Sequence, residues 1–535
     1  MRRALWFVVV ALLAVGAPPH SGGDSTGAVS GAGGGRLSGG RGGRVGGVLR
    51  IGVSPLGTLD PAQARSVEQV MVADQLFDSL TAYDPVTLEP VSSLAASWEA
   101  TPDQRQWTFR LRKGAVFANG RKVTALDVKY SLERVARRGS GSPGAGLLES
   151  VAGFGPYRNG GPDLAGVTAP SADVVHIALD EPVSVLASVL ASPVLSVVAK
   201  ESVQVASPAR LAESPVGSGP FRVARRRGPV VELQPSPGSH VKVAGIDLVQ
   251  FEDVRTAYDA FRNGDVDWAR VPPEEVDDAA QRYGRGAFRP YMAELFYGFN
   301  LKSPKLADAR FREALVRGID RRAVVAAVYH GTVETAGGVV LDGLPGFRPD
   351  GCPKCVHDPA LARRLVAEAF PPSTGGPPEV TIDFDADPTQ EAMAKAVQAS
   401  LAEVGIRTSL RATAPEAYDR LVLSGEQEVF RLGWIAAYPS PDAVLSPLFR
   451  SASPDNLMAY ANAVVDDVLS AARAEADPMR RTALYQKAER VIMDDVPVVP
   501  IAQLQLQSVV ARRVRGLVMT SLGTFDAAVV TVGDR

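Results

Sequence analysis

The sequence predicts an α/β protein with mixed sheets, divided into more than one lobe. Three observations carry this. The chain has 535 residues, whereas single hydrophobic cores stop growing at about 250–300 residues. Strand, helix and strand patterns follow one another over 380–410, and a crossover of that length implies a parallel β-α-β unit. Trp107, Phe109 and Leu111 alternate with Thr108 and Arg110, which is the period of a strand with one buried face. Hydrophobic residues make up 46% of the chain and mean hydropathy is +0.02, enough for at least two cores.

The elements follow in order. Met1-Arg2-Arg3 precedes an uncharged apolar stretch from Ala4 to Gly16. That stretch is shorter than the roughly 20 residues of a membrane-spanning helix and has the length and flank of a secretory h-region. Val15-Gly16-Ala17 offers small residues for cleavage and Pro18 follows directly, so residues 1–20 read as a signal peptide or a signal anchor. Residues 21–47 are rich in Gly and Ser, with Arg36, Arg41 and Arg44 interspersed. They bury too little apolar area to offset chain entropy and read as a flexible tether. Gly23-Asp24-Ser25-Thr26-Gly27 fits a serine-hydrolase pattern, but a nucleophile elbow needs a strand before it and a helix after it. Both flanks here are tether, and the match is chance.

Val48 to Val53 reads as the first strand, Leu59-Asp60-Pro61 as a turn, and Glu68 to Leu80 as a helix. Gly114 and Asn119-Gly120 punctuate the chain after the strand at 107–112. Ala125 to Arg137 is helical and 139–146 is a surface loop. The uncharged stretch 182–199 holds Pro182 and Pro193 and reads as a buried helix followed by a strand. Phe311, Leu315 and Ile319 recur at spacing four and form one stripe over Asp308 to His330. Asp358-Pro359 supplies an N-cap and a proline at the first helical position, opening a helix with Leu361, Leu365 and Ala369 on one face. Val380 to Phe384 is a strand, Gln390 to Val404 a helix, and Ile406 to Leu410 a strand.

Charge excludes some partners. Lys and Arg number 57 against 59 Asp and Glu, a net −2, so no strong field collects nucleic acid or acidic membranes. Arg225-Arg226-Arg227 is placed on a solvated hairpin. Two cysteines and His20, His176, His240, His330 and His357 complete no four-ligand zinc spacing, so neither a metal nor a cofactor is expected. Cys352 and Cys355 sit in a Gly/Pro loop, where an exported protein defaults to a small local disulfide. The alternative is a redox pair, which wants a helix N-terminus in a thioredoxin-like unit.

Several segments form an ordered set. Leu94-Ala95-Ala96-Ser97-Trp98-Glu99 precedes Trp107-Thr108-Phe109-Arg110-Leu111-Arg112-Lys113-Gly114, then Phe117-Ala118-Asn119-Gly120 and Thr124-Ala125-Leu126-Asp127-Val128-Lys129-Tyr130-Ser131. Pro215-Val216-Gly217-Ser218-Gly219-Pro220-Phe221, Gly264-Asp265-Val266-Asp267, Phe299-Asn300, Phe311-Arg312-Glu313-Ala314-Leu315, Ile319-Asp320-Arg321 and Gly433-Trp434 follow. Together they resemble the extracellular solute-binding proteins of the dipeptide/oligopeptide/nickel class, family 5, from about Val48 to nearly the C-terminus. Physically these residues read as scaffold: the aromatics as core anchors, Gly217 and Gly219 as a tight turn, Asp127 as a helix cap or brace.

The resemblance implies a two-lobed, periplasmic-binding-protein-like fold of class II type, with a hinge and an inserted subdomain. Lobe I is expected over 48–82, 214–288 and 498–535, the inserted subdomain over 83–213, and lobe II over 289–497. It implies a monomeric, non-enzymatic protein that closes on a peptide or other small organic ligand and delivers it to the permease and ATPase subunits of an ABC importer. Relatives are often lipid-anchored just after the h-region. Here Ala17-Pro18-Pro19 occupies that place without a cysteine, leaving an exported protein at the cell surface, outside the cell or in the periplasm, with anchoring through an uncleaved signal open. Two other functions fit the chain: a surface ligand sensor with this fold and no transporter, and a secreted hydrolase. Against the second, no histidine sits in a nucleophile–base context.

In peptide-binding relatives a Trp-x-x-Asp-Tyr segment lines the cleft and its aspartate pairs with the peptide's α-ammonium. Here Trp434 and Tyr438 match, and Ala437 occupies the aspartate position. A buried ammonium without a carboxylate costs several kcal/mol, so either another acid supplies the charge or the ligand lacks a free amine at that end. Asp442 is the candidate substitute, or else a helix cap before Ala443–Phe449. Thr58 and Leu59 in the loop after the first strand, and Tyr297 and Asn300 on a second-lobe strand, complete the expected wall. Tyr297 equally fits a core position. The loop backbone would pair with the ligand main chain, as in strand addition.

Overall fold

The computed structural model describes residues 46–204, 213, 215–329, 333–371, 373 and 375–534. The expected signal and nearly all of the tether, with His330, lie outside them. Among the described residues no helix is long and apolar enough to cross a membrane.

Two six-stranded mixed sheets organise the chain. The first runs Ser508–Val510, Trp268–Arg270, Val48–Val53, Gly245–Gln250, Val230–Pro235, Phe221–Arg227. Val48–Val53 lies parallel to Gly245–Gln250 and to Trp268–Arg270. Its inner residues Leu49, Ile51 and Val53 are buried, as a central strand covered on both faces requires. Arg225, Arg226 and Arg227 stand on an exposed hairpin, where Arg225 and Arg227 pair with Glu232. The helix Val67–Leu76 starts at a capping box: Ser66 Oγ accepts from the Gln69 amide, and Gln69 Oε1 accepts from the Ser66 amide. It ends at Leu76, four residues before the expected Leu80, where Phe77 turns extended.

The second sheet runs Glu334–Thr335, Val498–Leu506, Arg289–Phe299, Val429–Ile435, Val380–Asp385, Thr408–Thr413. Val380–Asp385 and Thr408–Thr413 are parallel and the helix Pro388–Glu403 crosses between them, the β-α-β unit legible in the sequence. The last strand starts two residues later than expected, because Gly405 ends the helix at φ 80° and Ile406 is spent on core packing. Val498–Leu506 pairs with Arg289–Phe299, so the chain's return to the first sheet falls at Gln507 and not at Val498. The reason is burial: Val498, Val499, Ile501, Ala502 and Leu504 are all enclosed, which suits a central strand of the second sheet.

A four-stranded antiparallel sheet lies in the intervening segment: Ala95–Ala100, Gln106–Leu111, Val174–Ala178, Val167–Ser171. Trp107, Phe109 and Leu111 face one core, with the Trp107 and Phe109 rings stacked 6.0 Å apart. The helix Ala125–Ala136 covers it. Asp127 caps and braces at once, accepting from the Thr124 amide at 2.9 Å and pairing with Arg121 at 2.7 Å.

Three further expectations are corrected. Residues 182–199 contain the short helices Leu186–Val189 and Pro193–Leu195 and then no strand; Val197 instead donates to the Asp78 carbonyl. The stripe after Asp308 is two helices, Ala309–Gly318 and Arg321–Tyr329, broken at Ile319 and Asp320 although Phe311, Leu315 and Ile319 are all buried. In Pro359–Ala369 the buried face is Ala362 and Val366, with Leu361, Leu365 and Ala369 half-buried beside it. Asp358 does cap that helix, accepting from the Leu361 amide, and Cys352 and Cys355 are joined in a disulfide.

Candidate ligand-binding cleft

The strand Val429–Ile435 ends where the Ala436 amide donates to the Met292 carbonyl at 2.8 Å. Ala437 is therefore the first residue beyond the sheet edge, and it is exposed. A register shift after Pro290 in the paired strand turns Tyr291 and Met292 toward the same space. Opposite them stand Ala64, Arg65 and Ser66, held by the capping box at the head of Val67–Leu76. The intervening segment contributes Tyr83, Pro143, Leu147 and Ser192 to Val194. Between these walls lies a cavity of about 450 Å³, within the range of about 300–1,000 Å³ typical of small-molecule sites.

The cavity is mainly apolar and its one charged lining residue among those described is Arg65. The Arg65 amide donates to Gln69 Oε1 at 2.7 Å and its guanidinium donates to the Gly141 carbonyl. Burial pushes the Tyr83 and Tyr291 phenols well above their ordinary range, so both stay neutral at physiological pH. Tyr83 donates its hydroxyl to the Ser188 carbonyl at 2.7 Å. With the amino end of Val67–Leu76 beside Arg65, the cavity has a positive side and, at Ala437, a wall without an acid.

Of the residues expected in the wall, only Ala437 lines this cavity. Trp434 is half-buried next to it, its indole N–H donating to the Ala443 carbonyl at 2.7 Å. Tyr438 points into the second lobe, and Asp442 is fully buried there. Asp442 does not replace the missing acid: its oxygens accept from Tyr438 at 3.0 Å and Ser446 at 2.5 Å, with Arg473 at 3.6 Å. Nor is it the N-cap; it is the first residue of the helix Asp442–Phe449, with Pro441 at the cap. Tyr297 is fully enclosed, the core alternative. Asn300 is a brace, donating to the Gly425 and Gln427 carbonyls at 2.9 and 2.8 Å. Leu59 is buried in the first sheet's core, and Thr58 Oγ1 accepts from the Asp60 amide. Sequence reasoning missed Arg65, Ser66, Tyr83, Tyr291 and Met292. Ser66 with Gln69 three residues on was a visible cap signal, but nothing local marked its neighbour as facing Ala437.

The second lobe also touches the intervening segment away from the cavity lining. Arg450 pairs with Glu181 at 2.9 Å, and Arg473 reaches Ser150 Oγ at 2.8 Å while its carbonyl accepts from the Ser184 amide.

Residues 89–456 match the family described as bacterial extracellular solute-binding proteins, family 5. The chain is 27% identical over 484 residues to the probable D,D-dipeptide-binding periplasmic protein DdpA of Escherichia coli, covering 87% of this chain and 90% of that one. Among solved structures, the unliganded open form of the periplasmic murein tripeptide-binding protein MppA superposes with a TM-score of 0.79 at 23% identity, covering 92% of this chain and 99% of that one. Haemophilus influenzae OppA in complex with the peptide RPPGFSPFR gives a TM-score of 0.70 at 22% identity, covering 91% and 99%. The fold is the two-lobed one these structures share.

Proposed function

The chain belongs to the bacterial extracellular solute-binding proteins of family 5, and we propose that it captures a short peptide or related organic solute in the interlobe cavity and delivers it to the permease and ATPase of an ABC importer. The observation that carries this is the cavity itself. Ala64–Ser66 and Ile435–Ala437 face one another across it, so a bound solute touches both lobes and favours the closed form through its differential affinity. Lobe I comprises 48–82, 214–288 and the tail after Gln507, the inserted subdomain 83–213, and lobe II 289–506. The protein makes and breaks no bond, acts as a monomer, and uses its first residues for export and as a tether.

The lining defines the solute's ends. Arg65 suits a carboxylate, for which a guanidinium is the best-shaped partner. Ala437 offers nothing to an ammonium, so the end lying there is blocked or neutral. A thermal-shift screen of free and Nα-acetylated peptides and of organic acids tests this. A ligand at a hundredfold excess over Kd adds about 2.7 kcal/mol of stability. Acetylated peptides raising the melting temperature at least as much as their free counterparts supports the reading; a clear preference for free amines contradicts it.

A further inference from the structure

A second cavity, of about 340 Å³, adjoins the cleft and shares Tyr83 and Pro193 with it. Among the described residues its charged lining is one-sided: Asp74, Asp78 and Asp526 stand with His240 and no lysine or arginine, and the buried Tyr83 phenol stays neutral. Asp74 lies in the last turn of Val67–Leu76 and Asp78 two residues past its end, where the helix dipole adds negative potential. The turn is clamped from behind. A Cβ on Gly217 would stand 1.9 Å from the Leu76 carbonyl oxygen, and Ser218 Oγ accepts the Asp78 amide at 3.3 Å. Arg112 draws on Asp78 from outside the lining.

Gln75 provides an independent sign. It is 3% exposed, and its amide nitrogen donates to Asp74 Oδ2 at 2.8 Å and to the Phe525 carbonyl at 3.0 Å. Two acceptors on that side fix which atom is nitrogen. Both acceptor residues line the cavity, so the amide stands in its wall, and Oε1 has no hydrogen-bond partner. A buried acceptor of this kind wants a donor.

We propose that this pocket is a subsite for a primary ammonium group, carried by a solute whose body lies in the cleft. An ammonium brings three donors and no acceptor, matching the two carboxylates and the Gln75 oxygen. It also relieves groups with no cation in the described lining: burial, then Asp78, pushes Asp74 up to about 7, and burial pushes Asp78 up to about 6 against the pull of Arg112. The pocket thus takes an amine elsewhere on the solute, such as a side-chain amine, and leaves the end at Ala437 blocked or neutral. That body and ammonium belong to one molecule rests on the proposed function; the pocket's preference for a cation does not.

Calorimetric titration of the purified protein at pH 8 with 1,5-diaminopentane and with 1,5-pentanediol reads the pocket alone. The diamine is expected to bind at least tenfold tighter than the diol, and the Asp74→Asn/Asp78→Asn double variant, checked for folding by its melting curve, to lose that preference. Ala528→Lys, an exposed position in the same lining, is expected to abolish diamine binding with both carboxylates intact. Equal affinity for the two probes, or a preference surviving these changes, overturns the proposal. The link to the cleft is read by Nα-acetylated tripeptides differing only in lysine or norleucine. A lysine preference lost in the double variant is expected, and a preference unchanged there overturns the link. If no tripeptide binds while the diamine result holds, the proposed function fails and the pocket stands.

Discussion

The hydroxyl of Tyr438 donates to Oδ2 of Asp442 at 3.0 Å, inside the second lobe and away from the cavity. With Ser446 on the other oxygen and Arg473 alongside, the carboxylate is committed to holding the helix Asp442–Phe449 against its neighbours.

Asp442→Ala is therefore expected to act on stability and not on recognition. It leaves the buried Arg473 guanidinium without its charge partner, at a cost of about 3 kcal/mol. Chemical denaturation reads the loss; calorimetry on the folded variant should give an unchanged Kd.

Ala437→Asp restores a carboxylate to an exposed position on the cavity wall. A charge-assisted hydrogen bond is worth about 1.5–3 kcal/mol, so affinity for free-amine peptides should rise about tenfold or more relative to acetylated ones. Paired titrations with each peptide and its acetylated form check this.

Arg65→Ala removes the one charge in the described lining. Peptides ending in a carboxylate should weaken about tenfold or more, by the same hydrogen-bond scale, while C-amidated ones change little. Competition binding with the matched pair separates the two.

How far such residues were readable in advance depends on the range of the interaction. Trp107, Phe109 and Leu111 announced a strand because their spacing is a local property, and the Gly405 stop and Asp358 cap are equally local. Ala437 was singled out through its place between Trp434 and Tyr438, and it lines the cavity. Asn300 and Leu59 were not, since the carbonyls of Gly425 and Gln427 that claim Asn300 lie 125 and 127 residues away. Arg65 escaped notice for the same reason: only the folded chain brings it opposite Ala437.

Glu294 predicts a pH dependence. It is fully buried, both carboxyl oxygens lack hydrogen-bond partners, and burial, then Glu489, holds its pKa well above the ordinary range. Glu489 itself is engaged by Arg348 and the Val340 amide. The folded protein keeps a proton on Glu294 that the unfolded chain releases above about 4.3. Stability therefore falls as pH rises from that point through the raised pKa, and the penalty is absent at lower pH. Glu294→Met should add about 1–3 kcal/mol at pH 4, the usual cost of an unsatisfied buried polar group, and more at pH 8, where the wild type must also hold a proton that the unfolded chain has lost. Calorimetric melting at the two pH values tests the difference.

Arg450 and Glu181 join the second lobe to the inserted segment at 2.9 Å. Such partly exposed pairs are worth about 0–1 kcal/mol, so Arg450→Ala should weaken solute binding by about fivefold at most. Small-angle scattering of the ligand-free variant should show a larger radius of gyration than the wild type.

The most direct test of solute capture is one titration of the best ligand from the screen into wild type and Ala437→Trp, a change that fills the cavity between the two walls. Binding to wild type with at least a hundredfold loss in the variant, at an unchanged melting temperature, is the predicted result. Equal binding to both proteins would place the solute elsewhere and contradict the account.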